Sequence, residues 1–358
     1  MDTTQQSLTH DVIELLKKLI ATPSFSKEEA NVCLVLQQFL SDHNIAFNVY
    51  LNNIWACNRF YDSSKPTILL NSHHDTVQPN PGYTKDPFAP IEEDGKLYGL
   101  GSNDAGGCLV SLIATFLYFY EQEDLQYNLI LALTAEEENS GHDGMYNLFK
   151  QLPKVNIAIV GEPTKMHIAI AERGLMVLKG VVKGKAGHAA RDEGVNAITL
   201  AMEDIEWIMQ HPPERISETL GASKITVTMI EAGTQHNVVP DLCSYTVDVR
   251  LTEQYTTEEV LSFLSEKLHA TITAEGMVLP PSFIDPFHPL VKAAQQFGAV
   301  PYGSPTTSDQ AVIPVPSVKM GPGDSARSHT ANEFIYIDEI KDGIARYIVI
   351  LKELLIKK

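Results

Sequence analysis

The sequence predicts an α/β protein with a smaller α+β unit inserted into it, on three observations. Over the first 170 residues, apolar segments of strand length alternate with amphipathic segments of helical length. That order gives a mainly parallel sheet covered on both faces. From Gly174 to about residue 280 the order becomes strand, helix, strand, strand, helix, strand, the pattern of a ferredoxin-like unit. Beyond the proline-rich "VLPPSFIDPFHP" the chain returns to α/β texture. The expected division is a discontinuous domain of residues 1–173 and 281–358 around an inserted domain of residues 174–280.

The elements follow in order. "MDTTQQSLTHDVIELLKKLI" opens polar and turns amphipathic, without a basic leader, apolar signal core or small-residue cleavage site, and predicts a helix of the mature protein. A second amphipathic stretch lies near residues 28–41, strands are expected around 45–60, and "TILL" is the apolar run that leads to His73 and His74. "GGCLVSLIATFLYFY", from Gly106, has helical length, while "YNLILALT" and "NIAIV" read as short buried strands. In the inserted segment, "GLMVLKGVVKG", "KITVTMIEAG", "LCSYTVDVRL" and "ITAEGMVL" read as strands, and "VNAITLAMEDIEWIMQ" and "TTEEVLSFLSEKLHA" as helices. A strand at "VPSVKM" and a closing helix with Ile340, Ile344, Ile348, Leu351 and Leu355 on one face complete the outer domain.

Composition narrows the function classes. At 358 residues, 44% hydrophobic and 20% charged, the chain has the make-up of a globular protein with a large core. A formal net charge of -18 argues against nucleic acid or an anionic membrane surface as the main partner. No run of 18 apolar residues occurs, so no membrane span is expected. Cys33, Cys57, Cys108 and Cys243 are scattered, which fits reduced thiols and a cytoplasmic location.

The chemistry collects at strand ends. In open parallel sheets, ligands sit outside the carboxyl ends of the strands. Four such ends carry acids or histidines: "TILLNSHHD", "LILALTAEEE", "NIAIVGEP" and "VPSVKMGPGDSARSH". Asp104, in "YGLGSNDAGG", precedes the long helix, where alone it would be read as a cap. "AEEEN" alone would be a solvated acidic loop. Together, carboxylates converging on one crevice repel each other unless cations are present. Histidines and carboxylates without cysteine suit zinc, cobalt or manganese in a catalytic centre, and the number of acids favours more than one ion. Side chains alternate along a strand, so His73 and Asp75 point one way and His74 the other. A metal-bound imidazole commonly gives its other nitrogen to a carboxylate, and His73 has Asp75 available for that.

These residues resemble those of the acetylornithine deacetylase and succinyl-diaminopimelate desuccinylase family of dinuclear zinc amidohydrolases and metallopeptidases. "SHHDTVQP" is similar to the family's GHxDxVP, "GLGSNDAGG" to GRGxxDxKGG and "TAEEENSG" to TADEETxG; "GEPT" and "GPGDSARSHTANEFI" match later signatures. The resemblance implies a zinc-peptidase-like catalytic domain with an inserted dimerisation and lid domain. It implies two divalent ions, zinc first, with cobalt or manganese as alternatives. Asp104 would bridge them, with His73 and Glu162 on one and Glu138 and His329 on the other. Glu137 would be the general acid/base and Asp75 the partner of His73. "GKAGHAA" resembles the segment whose histidine, here His188, reaches across a homodimer to the reacting carbonyl. "HNVVPDLCSYTVDVR" resembles the segment whose asparagine and arginine, here Asn237 and Arg250, hold the substrate carboxylate. Ser72, Leu100, Ala105, Gly106 and Glu136 depart from the family pattern, and the Glu136 change leaves a frame one residue away open for base and ligand.

The function implied is metal-dependent hydrolysis of a small N-acyl amino acid. Acetylornithine is the first choice, as in arginine biosynthesis. Acetyl- or succinyl-citrulline, succinylornithine, succinyl-diaminopimelate and dipeptides are alternatives. A dinucleotide-binding reading of "GPGDSA" lacks the helix that should open there. A non-catalytic relative would have no need of Glu137.

Overall fold

The computed structural model describes residues 3–356. It separates into two compact units: Met1–Ile170 with Phe283–Tyr302 and Ser308–Lys358, and Ala171–Ser282 with Gly303–Thr307.

In the first unit the strands Asn128–Thr134, Thr67–His73, Ile157–Val160 and Ser317–Lys319 lie side by side and parallel at the centre of a mixed sheet. An antiparallel hairpin, Asn48–Tyr50 and Asn53–Cys57, extends it beyond Asn128–Thr134. The central strands are buried on both faces, so they read as continuous apolar runs. Leu70, Leu129, Leu131 and Ile159 face the larger core, and Leu69, Ile130, Ala132, Ala158 and Val160 a smaller one. The larger core is covered by the helix Gly107–Tyr120, buried along most of its length, and by its neighbours Thr3–Ile20 and Ile337–Leu355. The apolar stripe of the closing helix, from Ile340 to Leu355, is fully buried. On the opposite face, short helical turns such as Phe149–Gln151 and Asp309–Val312 replace long helices. A separate three-stranded antiparallel sheet joins Ile91–Glu93, Lys96–Tyr98 and Phe334–Tyr336.

The second unit is a four-stranded antiparallel sheet in the order Lys224–Ala232, Leu242–Leu251, Gly174–Lys183, Thr271–Leu279. Numbered along the chain that is 2-3-1-4, the ferredoxin-like arrangement. Strict alternation along Gly174–Lys183 and Leu242–Leu251 turns Met176, Leu178, Tyr245 and Val247 toward the helices Ala197–Gln210 and Thr257–Lys267.

Candidate metal centre

Parallel register levels the carboxyl ends of the central strands. His73 stands opposite Thr134, Asn71 opposite Val160, and Lys319 opposite Val160. The loops leaving those ends therefore start from one edge, and they carry Glu137 and Glu138, Glu162, and His329. Ser72 fastens two of the ends by donating to the Gly161 carbonyl at 2.8 Å, beside Glu162.

His73 is buried, and its Nε2 lies 3.5 Å from Asp104 Oδ1, 3.7 Å from Glu162 and 3.9 Å from Glu137. The other oxygen of Asp104 lies 3.7 Å from His329 Nε2, which also meets Glu138 at 3.0 Å. Asp104 is thus shared between two histidines. It is extended (φ -115°, ψ 100°) and does not cap the helix that follows, so the reading of Asp104 as a simple helix cap does not hold. Asp75 is fully buried: Oδ1 is 3.4 Å from His73 Nδ1 and accepts from the Glu137 amide, while Oδ2 accepts from the Glu138 amide and from Ser26. His74 points away, with Nε2 3.0 Å from the Asn52 carbonyl, and burial lowers its pKa. Of the three glutamates, Glu136 (φ 57°) has its side chain against Gly141, away from this cluster.

The charges ask for a cation. Burial works against a charged His73, yet Glu137, Asp104, Asp75 and Glu162 together hold its pKa well above the usual value. Burial drives Glu137 well above the carboxylate range, and Glu162, Asp309 and Glu138 push it further. His329 is raised to about 9, first by its bond to Glu138. His73 Nε2 is buried without a hydrogen-bond partner. Donor atoms of His73, Asp104 and Glu138 converge within 4.8 Å of one another, as do those of His73, Glu137 and Glu162. Oxygen and imidazole donors without thiolate suit a hard or borderline divalent ion.

Two acids beside this cluster were not singled out from sequence. Glu333 accepts from the amides of Gly101, Asn103 and Asp104, and burial raises it to about 8. Asp309 accepts from Thr134 Oγ1 at 2.8 Å, and burial raises it to about 6. Glu333 lies inside the segment "GPGDSARSHTANEFI", but no role was assigned to it from sequence.

The remaining expected residues lie in the second unit. His188 is exposed on a two-stranded ribbon, Gly187–His188 against Val238–Val239, where the Ala189 amide donates to the Asn237 carbonyl. His188 and Asn237 are therefore neighbours. Arg250, in the strand Leu242–Leu251, donates to both oxygens of Asp248 at 2.9 and 3.0 Å.

Residues 69–353 match the model of peptidase family M20/M25/M40. The chain belongs to this family. Among curated proteins, it is 28% identical to acetylornithine deacetylase of Shigella sonnei over 92% of this chain and 94% of that one. It is 27% identical to succinyl-diaminopimelate desuccinylase 2 of Ruegeria sp., over 80% and 78%. In fold it is similar to aminopeptidase PepT of Bacillus cereus, with TM-score 0.74 and 22% identity over 97% and 98% of the two chains. It is also similar to the YXEP protein of Bacillus subtilis, a dinuclear metal-binding peptidase of family M20, with TM-score 0.72 and 16% identity over 97% and 98%. The chain is accordingly an enzyme, a hydrolase of the metallopeptidase and amidohydrolase type. Among the described residues no helix is long and apolar enough to cross a membrane.

Proposed function

We propose that this enzyme hydrolyses a small N-acyl amino acid, with acetylornithine as the leading substrate, and that two divalent ions, zinc first, serve the reaction. The observation that carries the reading is Asp104, whose two oxygens face His73 and His329 separately. Asp104 would bridge the ions, His73 and Glu162 would complete one site, and Glu138 and His329 the other. Such ions, when bound, acidify water and polarise an acyl carbonyl.

The chain's own residues supply the rest. Glu137 takes the proton of the attacking water at its carboxylate and delivers it to the leaving amine nitrogen; its burial and acidic neighbours favour holding that proton. Asp75 keeps His73 oriented and, through the Glu137 and Glu138 amides, fixes the loop that carries base and ligand. His188, presented by the second subunit of a homodimer through the inserted domain, donates to the developing oxyanion, and Asn237 and Arg250 hold the substrate carboxylate. The motif resemblance supports these last roles, as the deacetylase and desuccinylase relatives support the substrate class. The proposed location is the cytoplasm.

Amine release from N-acetylornithine, N-acetylcitrulline, N-succinylornithine, succinyl-diaminopimelate and a dipeptide, with zinc and again with chelator, tests the reading. Chelator-sensitive release from N-acetylornithine is expected. Release from the dipeptide alone would keep the metal chemistry and discard the deacylase assignment.

A further inference from the structure

We propose that Glu333 is a positioning residue: by placing Asp104 and His329 relative to each other, it sets the affinity of the centre for its second divalent ion. This rests on the metal-centre reading above. Glu333 is 2% exposed, and its carboxylate touches neither histidine of the cluster within ion-pair distance. It grips the turn before Asp104 instead. Oε1 accepts from the amides of Asn103 at 2.8 Å and Asp104 at 2.9 Å, and Oε2 from the Gly101 amide at 3.1 Å. Its own carbonyl accepts from the Gly99 amide at 3.0 Å.

The turn has little other freedom. Gly101 has φ 73°, and a side chain there would meet Thr76 Cγ2 at 2.6 Å. Four residues before Glu333, His329 stands at φ 59° with its Nε2 between Glu138 and Asp104. One residue thus ties the turn carrying the shared carboxylate to the loop carrying a histidine of only one of the two sites. Three amide donors on two oxygens require acceptors at both positions. A glutamine offers one oxygen and turns an NH2 against an N–H, so the turn must shift. The site that depends on both segments, Asp104 with His329 and Glu138, feels that shift more than the site built on His73 and Glu162.

The test uses the full chain, stripped of metal and titrated with zinc against a competing chromophoric chelator. Wild type, Glu333→Gln and Glu339→Gln are compared. Glu339 holds Arg327 of the same loop but does not touch the Gly101–Asp104 turn. Wild type is expected to take two ions. Glu333→Gln should take the first with wild-type affinity and the second about 10–100-fold more weakly, with kcat restored by excess zinc and KM little changed. Glu339→Gln should keep both affinities. Two unchanged affinities in Glu333→Gln, with only a lower Tm, would overturn this proposal alone, as would equal losses in Glu339→Gln. A wild-type chain that takes up no ion overturns the metal-centre reading and this proposal with it. Should Glu333→Gln not fold, Glu333→Asp decides: it keeps the charge but withdraws it by one methylene, and a weakened second ion is again expected, while wild-type binding of both would overturn the proposal.

Discussion

Asp75 has two oxygens and uses both for more than one purpose: it faces His73 and it accepts the amide protons of Glu137 and Glu138. The backbone of the glutamate turn is therefore fixed independently of the side chains it carries. That allows a clean test of Glu137. Replacing it by glutamine leaves the turn and the neighbouring donors in place while removing the proton carrier, so bound metal should be unchanged and turnover should fall by about 10²–10⁴. Metal analysis beside single-turnover amine release would show it, and full activity would remove Glu137 from the base role. Much at this scale was legible in the sequence. Alternation along an extended strand separates His73 from His74, and the structure turns the two apart accordingly. Asp104 was compatible with capping because a carboxylate before a helix looks the same in either role, and only its φ and ψ and its two histidine neighbours decide. The roles of Glu333 and Asp309 were not legible, although Glu333 lies inside the segment "GPGDSARSHTANEFI". An acid satisfied by amides of Gly101, Asn103 and Asp104, or by the Thr134 hydroxyl, carries no local pattern, since its partners lie far away in the chain.

Among the elements, those with a period were readable and those defined by distant pairing were not. The strands Gly174–Lys183 and Leu242–Leu251 alternate strictly, and the closing helix keeps one apolar stripe, so sequence alone suffices for both. The short strands Ile91–Glu93 and Lys96–Tyr98 form a hairpin across Asp94 and Gly95, both at positive φ, which is a local turn signal, whereas the addition of Phe334–Tyr336 to Lys96–Tyr98 has none. Joints between elements are equally silent. In the second unit, buried Asp204 on the helix Ala197–Gln210 accepts from Tyr245 Oη at 3.0 Å and from the amides of His269 at 2.7 Å and Ala270 at 3.0 Å. One carboxylate thereby joins the helix, a central strand and the entry to the strand Thr271–Leu279. Asp204→Ala leaves those donors without acceptors and should destabilise this unit by about 2–5 kcal/mol. Denaturant unfolding of the purified variant measures this. A change under about 1 kcal/mol would mean that the joint is held by packing alone.

For the whole molecule the governing quantity is charge. The chain carries a formal net charge of -18, and part of that excess is concentrated in Asp75, Asp104, Glu137, Glu138 and Glu162 around His73. Burying so many acids together opposes folding of the first unit unless protons or cations offset the repulsion. An ion that binds only the folded chain stabilises it by mass action, about 2.7 kcal/mol when the free ion is at a hundred times its Kd. For a unit of this size that is a shift in Tm of about 5–10 °C per ion. Chelation is therefore expected to lower the melting temperature of the first unit and to abolish hydrolysis, with readdition of zinc restoring both. The second unit holds none of the clustered acids, so its transition should not move; two separable transitions by calorimetry, one chelator-sensitive and one not, are the expected record. Hydrolysis that survives complete removal of divalent ions, with an unshifted melting curve, would show that the acids are reconciled with burial by protons alone, and the two-ion chemistry would have to be abandoned.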